Sequence, residues 1–375
     1  MKLILKYIVV LATALMSSCT GKTTAGHEDT GDSIVMKYAE HIKIVKYTDY
    51  TTVMLTDPWN TDNILHTYIL VKKGTRPDVR LPQGTVIHIP LEKSVISTSV
   101  HCALLLSLNR ESCIAGVCDV PYIKIPRISN AVRKGSITDC GSSMAPEIEK
   151  IIELHPDAIL LSPFQNSGGY GKIDKLDIPI IEAADYMETT ALGRAEWMKF
   201  YGMLWGAEEK ADSIFNAVEK EYMELKAMAV KSKVRKSILM DTKTGSVWYV
   251  PGGRSTIGQI IKDAVISYPF AGNNDSGSLQ LSFEKVLESS ADAGIWMLRY
   301  AGDKPMTLDG LGREYSGYKQ FKAFKTGEVY GCNTLNSTFY EETPFHPERL
   351  LRDFVMIAHP DLGIKGDTKY FFKLK

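Results

Sequence analysis

Residues 207–229 read AEEKADSIFNAVEKEYMELKAMA. Ala211, Ile214, Phe215, Val218, Tyr222 and Leu225 fall at i, i+3, i+4, i+7, i+11 and i+14. This is one face of a helix with a 3.6-residue period. Neither Gly nor Pro interrupts it. At 1.5 Å per residue it spans roughly 35 Å. On both sides of it, short apolar strands alternate with helices. Upstream are strand signals at 86–89, 94–96, 158–161 and 178–181, from 117 onward, and helical spacing at 99–108, 147–154 and 193–205. Downstream come strand signals at 237–240 and 293–298, and helices at 255–264, 283–289 and 348–359. Such alternation marks parallel α/β architecture. The expected fold is therefore two α/β lobes joined by a long interdomain helix.

Working further out, residues 34–84 read as a strand-rich extension. Ile42–Val45 alternates, Thr51–Leu55 is β-branched and apolar, and Tyr68–Val71 is bounded by Gly74. Asp57-Pro58 and Arg76-Pro77 are turn signals between these runs. The expectation is a small antiparallel sheet. Before it, Met1–Ser18 reads as a secretory leader: Lys2 and Lys6 precede the short apolar run Ile8–Met16. That run is too short for a bilayer, which needs about 20 apolar residues. Met16-Ser17-Ser18-Cys19 resembles a bacterial lipobox, which implies cleavage before Cys19 and acylation of its thiol. Residues 19–33, poor in bulky apolar groups, then form a tether. The expected division is leader 1–18, tether 19–33, extension 34–84, N-terminal lobe 85–206, interdomain helix 207–229 and C-terminal lobe 230–375.

Composition excludes several classes. The chain has 375 residues with 44 basic and 44 acidic side chains, hence no formal net charge. That balance argues against a nucleic-acid partner. The 44% hydrophobic share suits a packed core rather than disorder. Apart from Cys19, the cysteines are Cys102, Cys113, Cys118, Cys140 and Cys332, an odd number that leaves at least one unpaired within the chain. The spacing of Cys113 and Cys118 is not that of a CxxC metal or redox motif. Gly-x-Ser-x-Gly and His-Glu-x-x-His are absent from the sequence, and Gly252-Gly253-Arg254-Ser255 lacks the Lys-Ser/Thr ending of a phosphate loop. The chain is expected to be neither an enzyme nor the holder of a cofactor or resident metal.

Five segments carry a resemblance. They are APEIEKIIELHPDAI (145–159), WYVPGGRSTI (248–257), LQLSFEKVL (279–287), GEVY (327–330) and FHPERLL (345–351). In this order around one long helix, they resemble the periplasmic substrate-binding proteins of ABC importers for iron complexes, haem and vitamin B12, the helical-backbone metal receptors. The first matches that family's Asn-x-Glu-x-Ile-x-x-Leu-x-Pro-Asp-x-Ile, and the third its Pro-x-Val-Ser-x-Glu-x-Val-Leu. The similarity covers about residues 85–365; the extension departs from the simplest members.

The resemblance implies two Rossmann-like lobes with a ligand between them. It implies capture of a ferric siderophore or related metal chelate, with vitamin B12 or haem as alternatives. It implies as partners an ABC permease dimer with its ATPase subunits, and a monomeric binding protein held to the membrane by its lipid, in the periplasm. A chelatase-like enzyme acting on a tetrapyrrole is the reading from another class. By motif position, Glu149 and Glu284 are the acids that dock on the permease. Candidate ligand contacts follow from residue type and place. Trp248 and Tyr249 offer flat apolar surface, and Arg254 and Arg299 can grip an anionic chelate. Tyr300 follows a C-lobe strand. Phe164, Gln165 and Tyr170 follow an N-lobe strand beside Gly168, Gly169 and Gly171. Ser97, Thr98 and Ser99 precede the helix at 99–108, where an N-cap is the ordinary role. His101, beside that helix start, reads as structural rather than as a metal ligand.

Overall fold

The computed structural model describes residues 30–165 and 169–375. The leader, Cys19, most of the tether and Gly168 lie outside the described residues. Among the described residues, no helix is long and apolar enough to cross a membrane.

The chain first builds a five-stranded sheet from Asp32–Ile34, Ile42–Lys46, Thr51–Thr56, Ile64–Lys72 and Thr85–Ile89, in sequence order. The first four strands pair antiparallel. The fifth runs parallel to the fourth, with Tyr68 opposite Thr85 and Lys72 opposite Ile89. This corrects two expectations. The sheet is not wholly antiparallel, and the strand signal at 86–89 completes the extension instead of opening the next lobe. A parallel neighbour needs a connection of about a dozen residues, and residues 73–84 supply it. The turn signals there read locally as a hairpin.

The second sheet is parallel, in the order Ile180–Glu182, Ala158–Leu161, Ser94–Ile96, Ile114–Val117, Thr138–Asp139. The chain fills one side from Ser94 outward, then returns to fill the other from Ala158. The boundary between Ser94–Ile96 and Ala158–Leu161 is thus a topological switch point, where neighbouring connections diverge and leave a crevice at the strand ends. The third sheet runs Ile238–Met240, Ile295–Tyr300, Val329–Asn333, Phe372–Lys373, the last strand antiparallel, with no reversal of order. A three-stranded antiparallel sheet, Lys243–Thr244, Val247–Pro251 and Ser278–Leu281, lies beside it in sequence.

The long helix is Glu208–Lys231. Its acidic first turn and basic last residue complement the helix dipole. Ala211, Phe215, Val218, Tyr222, Leu225 and Ala229 are buried, matching the sequence period except that Ile214 stands at the edge of the stripe. The helix packs on Met198–Leu204 from the N-terminal side and on Pro347–Ala358 from the C-terminal side. Gly202 permits the first contact, because a Cβ there would lie 2.6 Å from that of Ala211. The helix expected at 193–205 is two, Ala191–Glu196 and Met198–Leu204, meeting at the buried Trp197.

The extension shares the main core. Ile44, Val53 and Tyr68 belong to the same apolar cluster as Phe200, Trp205 and Phe215. Two buried carboxylates fasten its entry. Glu196 accepts from the backbone N–H groups of Lys37, Tyr38 and Ala39 at 2.9, 2.7 and 3.0 Å. Glu188 accepts from those of Glu40 and His41 and from the Trp197 indole.

Candidate functional site

A cavity of about 930 Å³ opens at the switch point of the parallel sheet. Thr98, just past the strand Ser94–Ile96, and Ser162 and Phe164, just past Ala158–Leu161, form two of its sides. Tyr170, Tyr186 and Met144 complete the aromatic and apolar wall. Phe164 is 49% and Met144 78% exposed, so both present apolar surface that the described residues leave open. Lys172, also at the wall, is exposed.

The position of Tyr170 is built by its loop. Gly169 and Gly171 take φ of +110° and +65°, which side-chain-bearing residues rarely adopt. The Tyr170 N–H donates to Asp174 Oδ2 at 2.6 Å, and its hydroxyl donates to Glu182 Oε1 at 2.7 Å. Burial first, then the Glu182 carboxylate, push the phenol far above its ordinary range. Tyr170 therefore stays protonated with its hydroxyl engaged, and offers the cavity a ring rather than an oxygen ligand. Burial also raises the Tyr186 phenol, whose hydroxyl donates to the Pro163 carbonyl.

Beneath the Thr98 side lies a buried polar cluster. Thr98 caps the helix Ser99–Ser107, and its hydroxyl meets His101 Nδ1. His101 Nε2 is 3.0 Å from Asp185 Oδ1, and Asp185 also accepts from Arg194 at 3.0 Å and Tyr201 at 2.8 Å. Burial opposes the Asp185 charge, but His101 and Arg194 outweigh it and hold the carboxyl down at about 2. Both His101 nitrogens are engaged, in keeping with a structural role. Among the described residues, no group of three or more His, Cys, Asp or Glu is placed to hold a metal ion.

The other candidates scatter. Trp248 is a correction. It is fully buried, donates to the Met240 carbonyl at 2.9 Å, and packs against Trp296, Tyr318 and Phe321. An indole that saturates its one donor inside a core has no face left for a ligand. Gly252 and Gly253 face protein backbone instead of a ligand, since Cβ atoms there would lie 2.3 Å from the carbonyls of Asp275 and Asn273. Tyr249 is 42% exposed, and Arg254 is exposed. Arg299 forms a two-pronged pair with Asp241, at 3.0 Å from Nε and 2.6 Å from Nη2. Burial acts against its charge, yet Asp241 more than compensates and raises its pKa. Its guanidinium is therefore spent within the protein. The Tyr300 hydroxyl accepts from the Met306 N–H at 3.0 Å. Phe164, Gly169, Tyr170, Gly171, Ser97 and Thr98 are the expected ligand-side residues that the structure gathers in one cavity.

Glu149 and Glu284 are each exposed and each the second residue of its helix, Ile148–Leu154 and Phe283–Ser290. A carboxylate is favoured there by the helix dipole. The backbone N–H of Glu284 itself, and then Ser282, lower its carboxyl. Glu149 also borders the cavity. Cys102, Cys113, Cys118, Cys140 and Cys332 are all free thiols. Burial raises Cys102 and Cys118 to about 12 and Cys140 and Cys332 to about 11, so these four stay protonated and unreactive.

Sequence reading missed Met144, Lys172, Tyr186 and Glu182. Met144 sits between the paired segments Gly141–Ser142 and Ala145–Pro146, directly before the first family motif. Tyr186 follows the strand Ile180–Glu182, so the rule that sites lie past strand ends would have found it.

Comparison with known proteins fits this geometry. The family model described as periplasmic binding protein matches residues 116–334. The chain belongs to this family. Among the relatives of this periplasmic binding protein is an uncharacterised lipoprotein of Methanocaldococcus jannaschii, 24% identical over 97% of this chain and 94% of that one. A haem-binding periplasmic protein of Pseudomonas aeruginosa superposes with a TM-score of 0.58 at 13% identity, covering 76% of this chain and 98% of that one. The petrobactin-binding protein of Bacillus subtilis gives 0.55 at 18% identity, covering 74% and 94%. The periplasmic binding protein fold, two α/β lobes and a long helix, is thereby shared at identities that speak for the fold alone.

Proposed function

We propose that this protein is the substrate-binding component of an ABC importer, capturing a ferric siderophore of aromatic, anionic character and delivering it to the permease. The observation that carries this reading is the cavity past the strand ends, with Phe164, Tyr170 and Tyr186 as rings and Lys172 as an exposed cation. Flat aromatic chelating groups stack on such rings, and an ammonium meets the net negative charge of a ferric catecholate complex. Arg254 is a further exposed cation, whereas Asp241 neutralises Arg299. Tyr249 on the other lobe is an exposed aromatic surface. ATP hydrolysis falls to other subunits, so this chain needs no catalytic group. The lipobox at Cys19 and the lipoprotein relatives support an extracytoplasmic protein tethered to a membrane by its lipid. Fluorescence titration of the purified protein with a ferric tris-catecholate complex, haemin and cyanocobalamin tests the ligand class. The first should bind tightest; tighter binding of cyanocobalamin or haemin would overturn it.

Docking through Glu149 and Glu284 belongs to the same proposal. Their equivalent places on two helices, one in each lobe, suit paired contacts with two permease subunits. Glu149→Arg or Glu284→Arg turns attraction into repulsion at the permease contact. Uptake by cells should fall sharply while the purified Glu284→Arg protein keeps its ligand affinity. Normal uptake by the double reversal would remove the docking role. Cys19→Ala should release the protein from the membrane fraction.

A further inference from the structure

Glu182 links the N-terminal sheet to the cavity wall. Glu182 ends the edge strand Ile180–Glu182 and is 8% exposed. Its backbone N–H donates to the Tyr68 hydroxyl at 2.9 Å, and its Oε1 receives the Tyr170 hydroxyl. Its Oε2 is buried and makes no hydrogen bond among the described residues. That oxygen lies 3.3 Å from Nδ1 of His66. His66 and Tyr68 are alternate residues of the strand Ile64–Lys72, with rings stacked at 4.3 Å. His66 Nε2 is in turn 2.8 Å from the Thr85 hydroxyl on the neighbouring strand. Tyr170 lines the cavity, whereas His66, Tyr68 and Glu182 do not.

A buried carboxylate oxygen without a hydrogen bond is costly. Here one oxygen fixes a cavity residue, and the other points at an imidazole of the extension without completing a bond. The carboxylate is therefore shared unequally between sheet and cavity, and any strengthening of its tie to His66 acts on Tyr170.

We infer that Glu182 is a positioning residue for the cavity, and that the N-terminal sheet bears on ligand binding through His66, Glu182 and Tyr170 in series. The effect on affinity rests on the cavity being the ligand site; the effect on Tyr170 does not. In the ligand-free protein, Glu182→Ala should speed hydrogen exchange over residues 169–173 about tenfold, the size expected when one buried hydrogen bond is lost. Glu182→Gln keeps the acceptor for Tyr170 and should leave that exchange near wild type. It also keeps the test decisive if the alanine variant folds poorly. Unchanged exchange in Glu182→Ala, or an equal rise in Glu182→Gln, would overturn the inference whatever the cavity binds. With a ferric tris-catecholate probe, His66→Ala and Tyr170→Phe should change affinity non-additively, because both act on the same carboxylate. Additive effects would refute the series. Failure of the wild-type protein to bind the probe would strike the ligand class alone, since the exchange measurement stands without it.

Discussion

The two lobes treat the ends of their parallel strands differently. In the N-terminal lobe the strand order reverses between Ser94–Ile96 and Ala158–Leu161, and the diverging connections leave a cavity walled by Phe164, Tyr170 and Tyr186. In the C-terminal lobe the strands Ile238–Met240, Ile295–Tyr300 and Val329–Asn333 follow one another without reversal. There Asp241, in a left-handed conformation with φ of +55°, folds back over the strand ends. Its N–H donates to the Met297 carbonyl, its carbonyl accepts from the Trp296 indole, and its carboxylate holds Arg299. One lobe leaves its strand ends open with rings in place, and the other seals them with an ion pair. Topology decides where a crevice forms, and local charge pairing decides whether residues beside it remain free to bind.

The contrast predicts that substitutions at equivalent places act on different quantities. Arg299→Ala should destabilise the protein by about 3 kcal/mol, because it strands a buried carboxylate, while changing affinity little. Chemical denaturation monitored by tryptophan fluorescence measures this. Stability near wild type with a large loss of affinity would instead make Arg299 a ligand residue and erase the contrast.

Acid should test the polar support of each lobe next. Asp185 beneath the N-terminal cavity and Glu342 in the C-terminal lobe are both held at about 2 in the folded protein. In each, burial opposes the charge and partners overcome it: His101 and Arg194 for Asp185, Lys369 with Thr338 and Arg349 for Glu342. A carboxyl lowered by folding stabilises above its unfolded pKa of about 4 and loses that contribution as pH falls towards 2. Over that window Asp185 should contribute about 2 kcal/mol and Glu342 about 3 kcal/mol. Asp185→Asn should flatten its share of the pH dependence of unfolding. An unchanged slope would remove the ion-pair account.

Smaller effects belong to the open cavity. Tyr170→Ala should weaken binding of the ferric tris-catecholate probe roughly tenfold through lost ring contact. Phe164→Ala, at a more exposed wall, should cost about threefold. Phe164→Ala should leave the unfolding midpoint in place, and Tyr170→Ala should lower it less than Arg299→Ala does, because Glu182 loses a neutral phenol and not a guanidinium. A stability loss in Tyr170→Ala as large as that of Arg299→Ala would mean the ring is core rather than wall.

Several features were readable in the sequence because they are local. The period of Ala211 to Leu225 assigns the long helix wherever it packs. The alternation of apolar runs with helices gives the α/β class. The helix start at Thr98 follows from short polar residues before an apolar turn, and it places His101 within its helix. Phe164 and Tyr170 were legible through the rule that sites lie past strand ends. What the tertiary structure alone decided depends on partners far along the chain. Trp248 has the composition of a binding surface and became core because Trp296 and Phe321 close over it. Arg299 looked available until Asp241, 58 residues away, claimed it. The strand at 86–89 carries an ordinary strand pattern, and which sheet it joins was settled by the return path of residues 73–84. Glu182 has no motif at all: its significance arises where an extension strand, a lobe edge and a glycine-rich loop meet. Hydrophobic period and capping depend on neighbours within a few residues, whereas burial and charge pairing depend on which distant surfaces the fold brings into contact.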